Sequence, residues 1–414
     1  MPKHLISGPT PFDLKIADAD GSFLFGPDGK KYIDMLGGWC VSTIGWKHPR
    51  MIKALQQQPG FYLPPTMYSD FWNSYAEKLL SIVPKHLNRI FRVTSGSEAV
   101  EFALKLARAA TGKKKIVSFG EVYHGHTFGA ASIGSAMTED MAPGVGEIVK
   151  LNIPNEYRNK HGVTGHKLSE KVLVEIETVF KGNDVAAFIS EAVFTNVGTL
   201  IPPSDFYPKL EALCRKYDTL LIIDEVAAGF GRTGKIFAFE HWNLKPDIIT
   251  LGKGLTGGYS TAGATICTEK VEAESHKIPR YSTFGWNLYD VVAMKENLNI
   301  FLDEKLWEKS KQTGEYIFAL LKPLEELPQV GQIRGIGMLF SIEFVKDKST
   351  KEPLVGMADQ IAKEGIKDGV ITESADSHTL FFSPALNMDR DIAKQGVDIL
   401  INTIKRCLSS SESI

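Results

Sequence analysis

Short apolar runs that end in a polar residue and glycines recur along this chain. The clearest are residues 220–223 and 248–251. Both are rich in β-branched residues and almost wholly apolar, the pattern of strands buried on both faces of a parallel sheet. Residues 89–93, 115–119, 185–190 and 262–267 read as further strands. Elsewhere the period changes. Val100, Ala103, Leu104 and Ala107 fall on one face of a helix, and helices are also expected over 171–180 and 205–216. This middle part predicts an α/β unit.

Both ends follow another pattern. Asp20-Gly21 and Asp28-Gly29 are hairpin-type turn signals around a short apolar strand. After a long helix starting near Asp290, a second helix over 305–326 carries a stripe of Ile317, Leu320, Leu321 and Leu324. Residues 335–343 and 380–383 read as strands of a small α+β domain. A last helix over 390–408 buries Val397, Leu400, Ile401, Ile404 and Leu408, and 409–414 form a frayed tail. A chain of 414 residues exceeds one ordinary core. The expected division is a large cofactor-binding domain over 51–300 and a smaller domain built from 1–50 and 301–414.

In open α/β sheets the carboxyl ends of the strands face the ligand crevice. The first run ends at Asp224, and the second leads to Lys253 between Gly252 and Gly254. An acid and a lysine delivered to one crevice suit pyridoxal phosphate, which needs a lysine for its imine and an acid to keep its ring nitrogen protonated. Val226, two residues beyond Asp224 on the same extended segment, faces the same side and is placed to pack on the ring. The segment Thr94-Ser95-Gly96-Ser97 joins a strand to a helix start. Such a turn is either an anion site or an ordinary serine cap. Trp39 and Cys40 follow two glycines, where backbone can approach a ligand or where an aromatic can be buried against the next domain. Tyr123 and His124 follow a strand, and an aromatic there can stack on a flat ring. His124 and His126 have no third ligand nearby, so no metal is assigned.

Hydrophobic content of 43% and charged content of 23% describe an ordinary globular chain. The net charge of −2 gives no bulk attraction to nucleic acid or anionic membrane. Cys40, Cys214, Cys267 and Cys407 are scattered without metal spacing and read as reduced thiols. The N-terminus lacks an apolar core of signal-peptide length, and no run approaches a membrane span. The expectation is a cytoplasmic protein.

DEVAAGFGRTG, ITLGKGLTGG, TSGSEAVEFALKLAR and VYHGHTFG, in order between about residues 21 and 400, resemble the class III (ω-type) pyridoxal-phosphate aminotransferases. The resemblance implies fold type I: a mostly parallel sheet sandwiched by helices, plus a smaller α+β domain. It implies ping-pong transamination between an amino donor and a keto acid or aldehyde. Lys253 would carry the cofactor and Asp224 would hold its ring nitrogen. Gly96 and Ser97 would bind the phosphate, Tyr123 would cover one ring face with His124 beside it, and Glu191 would complete the cofactor site. Thr283 would reach the phosphate of the neighbouring subunit, making a homodimer with shared sites. Trp39 would line the substrate pocket.

The sequence also departs from the family. Ala192, Phe194 and Asn196 stand where Pro, Gln and an acid are usual, and Trp286 replaces a glycine. His126 replaces a small polar residue and is not assigned to catalysis. Phe381 aligns with the arginine that clamps a substrate carboxylate in many members. With that arginine and its covering acid both absent, the donor is expected to be an amine, a β- or ω-amino acid or an apolar amino acid. Trp39, Phe381 and Trp286 would make the pocket apolar, unless Arg334 clamps from another direction. A racemase or aminomutase would use the same lysine and acid. A nucleotide-dependent dehydrogenase using the loop from Gly229 to Gly234 is the remote rival, with no apolar helix and no acid-ended second strand to support it.

Overall fold

The computed structural model describes residues 14–58 and 60–411. Its largest sheet runs Leu87–Val93, Gly263–Thr268, Ile248–Leu251, Leu220–Asp224, Val185–Glu191, Lys115–Phe119, Ile148–Leu151. Neighbours are parallel except at Gly263–Thr268, which is antiparallel to both of its partners. The three central strands are buried at every residue, as their unbroken apolar runs require. Helices Gly96–Thr111, Gly165–Phe180 and Phe206–Lys216 make the crossovers. Every expected strand of this sheet lies within two residues of its apolar run.

Register then builds a polar row. Glu191 pairs with Asp224, and Asp224 with Thr250. Three polar side chains thus stand side by side at the carboxyl edge of an apolar sheet, the edge from which ligands are bound.

The chain ends meet. Strands Asp18–Asp20, Phe23–Phe25 and Lys31–Asp34 form the expected hairpins, and the last pairs in parallel with Val370–Ile371. A second sheet is antiparallel, in the order Val330–Ile336, Leu339–Asp347, Thr379–Phe382, Glu373–Asp376. Residues 335–343, expected as one strand, are instead a hairpin turning at Gly337 and Met338. Gly337 has φ 56°, and a Cβ there would lie 2.5 Å from the Arg232 carbonyl oxygen. The helix Leu288–Asp303 begins with a reciprocal cap between Asn287 and Asp290. The last helix, Arg390–Ser411, includes Ser409, Ser410 and Ser411, which were expected to fray. Residues 412–414, and the first thirteen on which the signal-peptide expectation falls, lie outside the described residues. Among the described residues no helix is long and apolar enough to cross a membrane.

Arg232 ties these parts together. It is 1% exposed, and its guanidinium forms no ion pair with a carboxylate among the described residues. Nη1 donates to the carbonyls of Pro384 and Ser383, the latter at 3.1 Å. Nη2 donates to Ser42 O at 2.8 Å and Cys40 O at 3.4 Å. The Arg232 carbonyl accepts from Met338 N at 2.8 Å and from Ser310 Oγ at 3.2 Å. One side chain therefore satisfies carbonyls of the N-terminal loop and of the chain after the last sheet strand. Replacing it with methionine leaves those carbonyls unpaired in the interior, a loss of about 3 kcal/mol or more. Arg232→Lys is expected to recover only part, because an ammonium lacks the planar fork that spans both segments. Denaturant unfolding at equal cofactor loading checks this. A loss below about 1 kcal/mol in Arg232→Met would contradict the role.

Candidate active site

The floor of the site is the polar row. The Asp224 carboxylate is almost fully buried and fully engaged. Oδ1 accepts from Thr250 Oγ1 at 2.9 Å and from Val226 N at 3.0 Å. Oδ2 lies 2.7 Å from His124 Nδ1, whose N–H donates to it. This bond fixes both the ring and the carboxylate. The other histidine nitrogen, Nε2, is buried and has no partner among the described residues. Beside it, Glu191 accepts from Thr195 Oγ1 at 2.6 Å and from Thr195 N at 3.3 Å. Burial first, and the neighbouring Asp224 second, push the Glu191 carboxyl up to about 7.

Lys253 stands on a tight turn at φ 38°. Its flanking glycines are required by close packing. A Cβ at Gly254 would come 2.9 Å from Phe230 Cβ, and one at Gly252 would meet Gly96 backbone at 3.1 Å. Asn297 braces this turn from within the helix Leu288–Asp303. Its Nδ2 donates to Gly254 O at 2.7 Å, while its Oδ1 accepts from Thr43 Oγ1 at 2.8 Å. Lys253 itself makes no ion pair among the described residues, so its amine is left for chemistry.

The helix start divides the two alternatives open at Ser95–Ser97. Ser95 is the cap, its Oγ accepting from Glu98 N at 3.2 Å. Gly96 and Ser97 occupy the first turn, where N–H groups have no helical partner. Both line a cavity of about 530 Å³ with Tyr123, His124, Asp224, Val226 and Lys253. The backbone comes close on every side. A Cβ at Gly125 would lie 2.4 Å from Ser97 Oγ, and one at Gly96 would lie 2.7 Å from Val226 Cγ1. Val226 reaches the cavity by a different route from the expected one. The strand stops at Asp224, and Val226 lies in a turn closed by its own N–H on Asp224.

The mouth is made of loops and strand ends. Gly37, Gly38, Trp39 and Cys40 run at φ 57°, 59°, 60° and 68°. This is one turn of left-handed backbone, which costs a residue with a side chain roughly 1–2 kcal/mol. It leaves Trp39 62% exposed at the cavity. The Trp39 indole N–H donates to Glu373, a residue sequence reasoning passed over. Phe381, Asn196 and His126 also line the cavity, and His126 Nδ1 lies 3.1 Å from the Tyr123 hydroxyl.

Trp286, expected at the pocket, and Arg334, the alternative clamp, lie elsewhere, while Thr283 was expected at the partner's site rather than at its own. Trp286 is fully buried in the core, its indole donating to Gly263 O at 2.8 Å and its ring edge-on to Tyr75. Arg334 is held by Glu343 at 2.7 Å and by Gly198 O at 2.6 Å, and does not line the cavity. Thr283 is exposed and outside its own chain's cavity, its carbonyl accepting from the Tyr62 hydroxyl at 2.9 Å. Among the described residues no group of three or more His, Cys, Asp or Glu is arranged to hold a metal.

These features fit a flat, phosphate-bearing cofactor. A helix start with free N–H groups, glycines whose Cβ positions are already occupied and a lysine without an ion pair among the described residues face one cavity. Fold and site together define a pyridoxal-phosphate enzyme of fold type I. The family model for aminotransferase class III matches residues 7–404. The adenosylmethionine-8-amino-7-oxononanoate aminotransferase of Staphylococcus aureus is 30% identical, covering 95% of this chain and 92% of its own. The alanine/serine racemase of Pyrococcus horikoshii is also 30% identical, over 94% and 85%. An amine transaminase from an uncultivated Pseudomonas species, solved in its PLP-bound (internal aldimine) form, superposes with a TM-score of 0.92 at 29% identity, covering 98% of each chain. The chain belongs to the class III aminotransferases. It is a pyridoxal-phosphate-dependent aminotransferase.

The buried Glu191 gives a pH signature. A free glutamate releases its proton near 4.5 and the native one near 7. Across that window the native state holds the extra proton, so rising pH removes stability. Glu191→Gln has no proton to lose. In the apo-protein, its stability relative to wild type is expected to rise by up to about 3 kcal/mol between about pH 5 and pH 8. A pH-independent difference in unfolding free energy would remove the assignment.

Proposed function

We propose that Lys253 is the cofactor-bearing and proton-moving residue and that Asp224 keeps the cofactor ring nitrogen protonated. The observation that carries this is the union of an unpaired lysine and a triply held carboxylate in one cavity. When bound, pyridoxal phosphate supplies a carbonyl for the substrate's amino group and a ring that accepts electrons from the substrate carbon. The neutral Lys253 amine takes the proton from that carbon and returns it to the cofactor carbon, as base and then acid. His124 holds the Asp224 carboxylate in line. Tyr123 and Val226 cover opposite ring faces, Gly96 and Ser97 donate N–H groups to the phosphate, and Glu191 borders the ring. The large unit over 51–300 carries this machinery, and 1–50 with 301–414 complete the mouth.

Thr283 of the partner subunit is assigned to the phosphate, making the homodimer the active unit. Exposed aromatics around that loop, with Tyr62 43%, Tyr281 70% and Phe284 61% exposed, suit a second copy of this chain. Four buried free cysteines suit a reducing compartment, and the cytoplasm is the assigned location. Lys253→Ala is expected to lose the visible imine band and nearly all turnover. Heterodimers of Lys253→Ala and Thr283→Ala subunits carry one intact site if sites are shared. They should regain the cofactor retention that Thr283→Ala alone lacks. A normal imine band in Lys253→Ala, or an active monomer by light scattering, would end this assignment.

The donor is an amine, a β- or ω-amino acid or an apolar amino acid rather than glutamate, since among the described residues no arginine lines the cavity and Phe381 and Trp39 do. Pyruvate or an aldehyde is the expected acceptor. The racemase relative supports a second reading, isomerisation of one amino acid without an acceptor. With amines and pyruvate, kcat/KM is expected to exceed that for glutamate and 2-oxoglutarate by about tenfold or more, a difference of one charged contact. Glutamate as best donor, or turnover that needs no acceptor, would reverse the choice.

A further inference from the structure

Glu373 is a carboxylate of the cavity that the transamination chemistry leaves without a task. It lies on the strand Glu373–Asp376, directly opposite Phe381. It lines the cavity with Trp39, Ser374 and Ala375. Its hydrogen-bond partner is the indole N–H of Trp39, and no basic side chain pairs with it among the described residues. Burial raises its pKa, against which the indole bond works.

The charge of the whole cavity has the same sense. Three carboxylates, Glu191, Asp224 and Glu373, face it with one lysine, Lys253. At the floor, Asp224 and Lys253 are taken up by the cofactor in the function proposed above. At the mouth no lysine or arginine lines the cavity among the described residues, and Arg334 is committed to Glu343 and Gly198 away from it. A substrate bearing a carboxylate would bring a like charge to Glu373 in a half-enclosed cavity, where repulsion is poorly screened.

A cationic group meets the opposite situation. The indole offers a ring face, and the carboxylate beside it offers charge-assisted hydrogen bonds. The left-handed turn that exposes Trp39 holds the two together. We propose that Glu373 and Trp39 form a subsite for a positively charged group at the far end of the substrate. The preferred donors are then diamines, or other amines that carry a second cationic group. This rests on the transaminase function assigned to the cavity and names its substrate class.

The test uses holoenzyme and three matched donor series of increasing chain length: straight-chain diamines, alkylamines with a methyl group in place of the second nitrogen, and ω-amino acids with a carboxylate there. Bleaching of the visible imine band in single turnover and kcat/KM with pyruvate are both read. The expected result is a diamine preferred over its alkylamine by roughly tenfold or more at one chain length, the worth of a hydrogen-bonded charge. Glu373→Gln, which keeps the size of the side chain and an acceptor for the indole, should bring that ratio towards one. Glu373→Arg should move the preference to the ω-amino acid. A wild-type ratio near one at every length, or a ratio that Glu373→Gln leaves unchanged, overturns the subsite while transamination stands. If no amine of any series bleaches the band, the assigned function falls and the subsite falls with it.

Discussion

A buried guanidinium that spends its hydrogen bonds on carbonyls holds the two halves of this site in register. Arg232 sits behind the mouth and binds main-chain oxygens on both sides of it, Ser42 and Cys40 from one segment, Ser383 and Pro384 from another. Its charge is answered from a distance by Asp34, whose own oxygens are taken by Trp46 Nε1 and the N–H groups of Leu36 and Gly37. The arrangement is expensive in desolvation, and burial lowers the pKa of Arg232 accordingly. It persists because irregular backbone with unpaired carbonyls has no sheet partner there. The turn that presents Trp39 is one of the segments so tied.

The floor obeys a different rule. Asp224 and Glu191 occupy the ends of fully buried strands, and strand pairing alone sets them side by side. Adjacent carboxylates in an apolar setting repel and resist ionisation, and Glu191 responds with its raised pKa. Asp224 is instead supplied with three donors. The two neighbouring acids therefore differ in their hydrogen-bond supply, and Asp224 has the fuller set. Glu225, next in the chain, is buried in the same region but faces the N–H groups of Ala238 and Phe239 at 2.9 Å. It serves the loop, and burial raises its pKa to about 8.

What could be read from the chain follows from these rules. The strands ending at Asp224 and leading to Lys253 were legible because burial on both faces leaves few polar residues within a run, which needs no knowledge of partners. The helix start at Gly96 was legible as a turn, and the structure makes Ser95 its cap while Gly96 and Ser97 line the cavity. Val226 lines the cavity as expected, but an Asx-type turn rather than strand alternation brings it there, because the strand ends at Asp224. Trp286 was expected near the substrate from its place in the family-like loop, and Arg334 was the alternative clamp; neither lines the cavity. Whether a tryptophan faces a core or a cavity is decided by distant residues such as Tyr75 and Gly263. Glu373 carried no local signal at all, since its importance depends on pairing with Phe381 and on a left-handed turn more than three hundred residues away in the chain.

That division has a consequence for how specificity is set. The groups assigned above to the cofactor in the proposed function are fixed by sheet register and by glycines whose Cβ positions are blocked, so a change there disturbs several contacts together. The mouth is set by single side chains on a strand end and on a strained turn, supported from behind by Arg232. A substitution at 373 or 381 alters charge or volume facing the substrate without touching the Asp224 network, because neither residue shares a hydrogen bond with it. Effects at sites with no shared partners are close to additive. The chemistry of this protein and its choice of substrate therefore rest on separate parts of the fold, and the second can change while the first is kept.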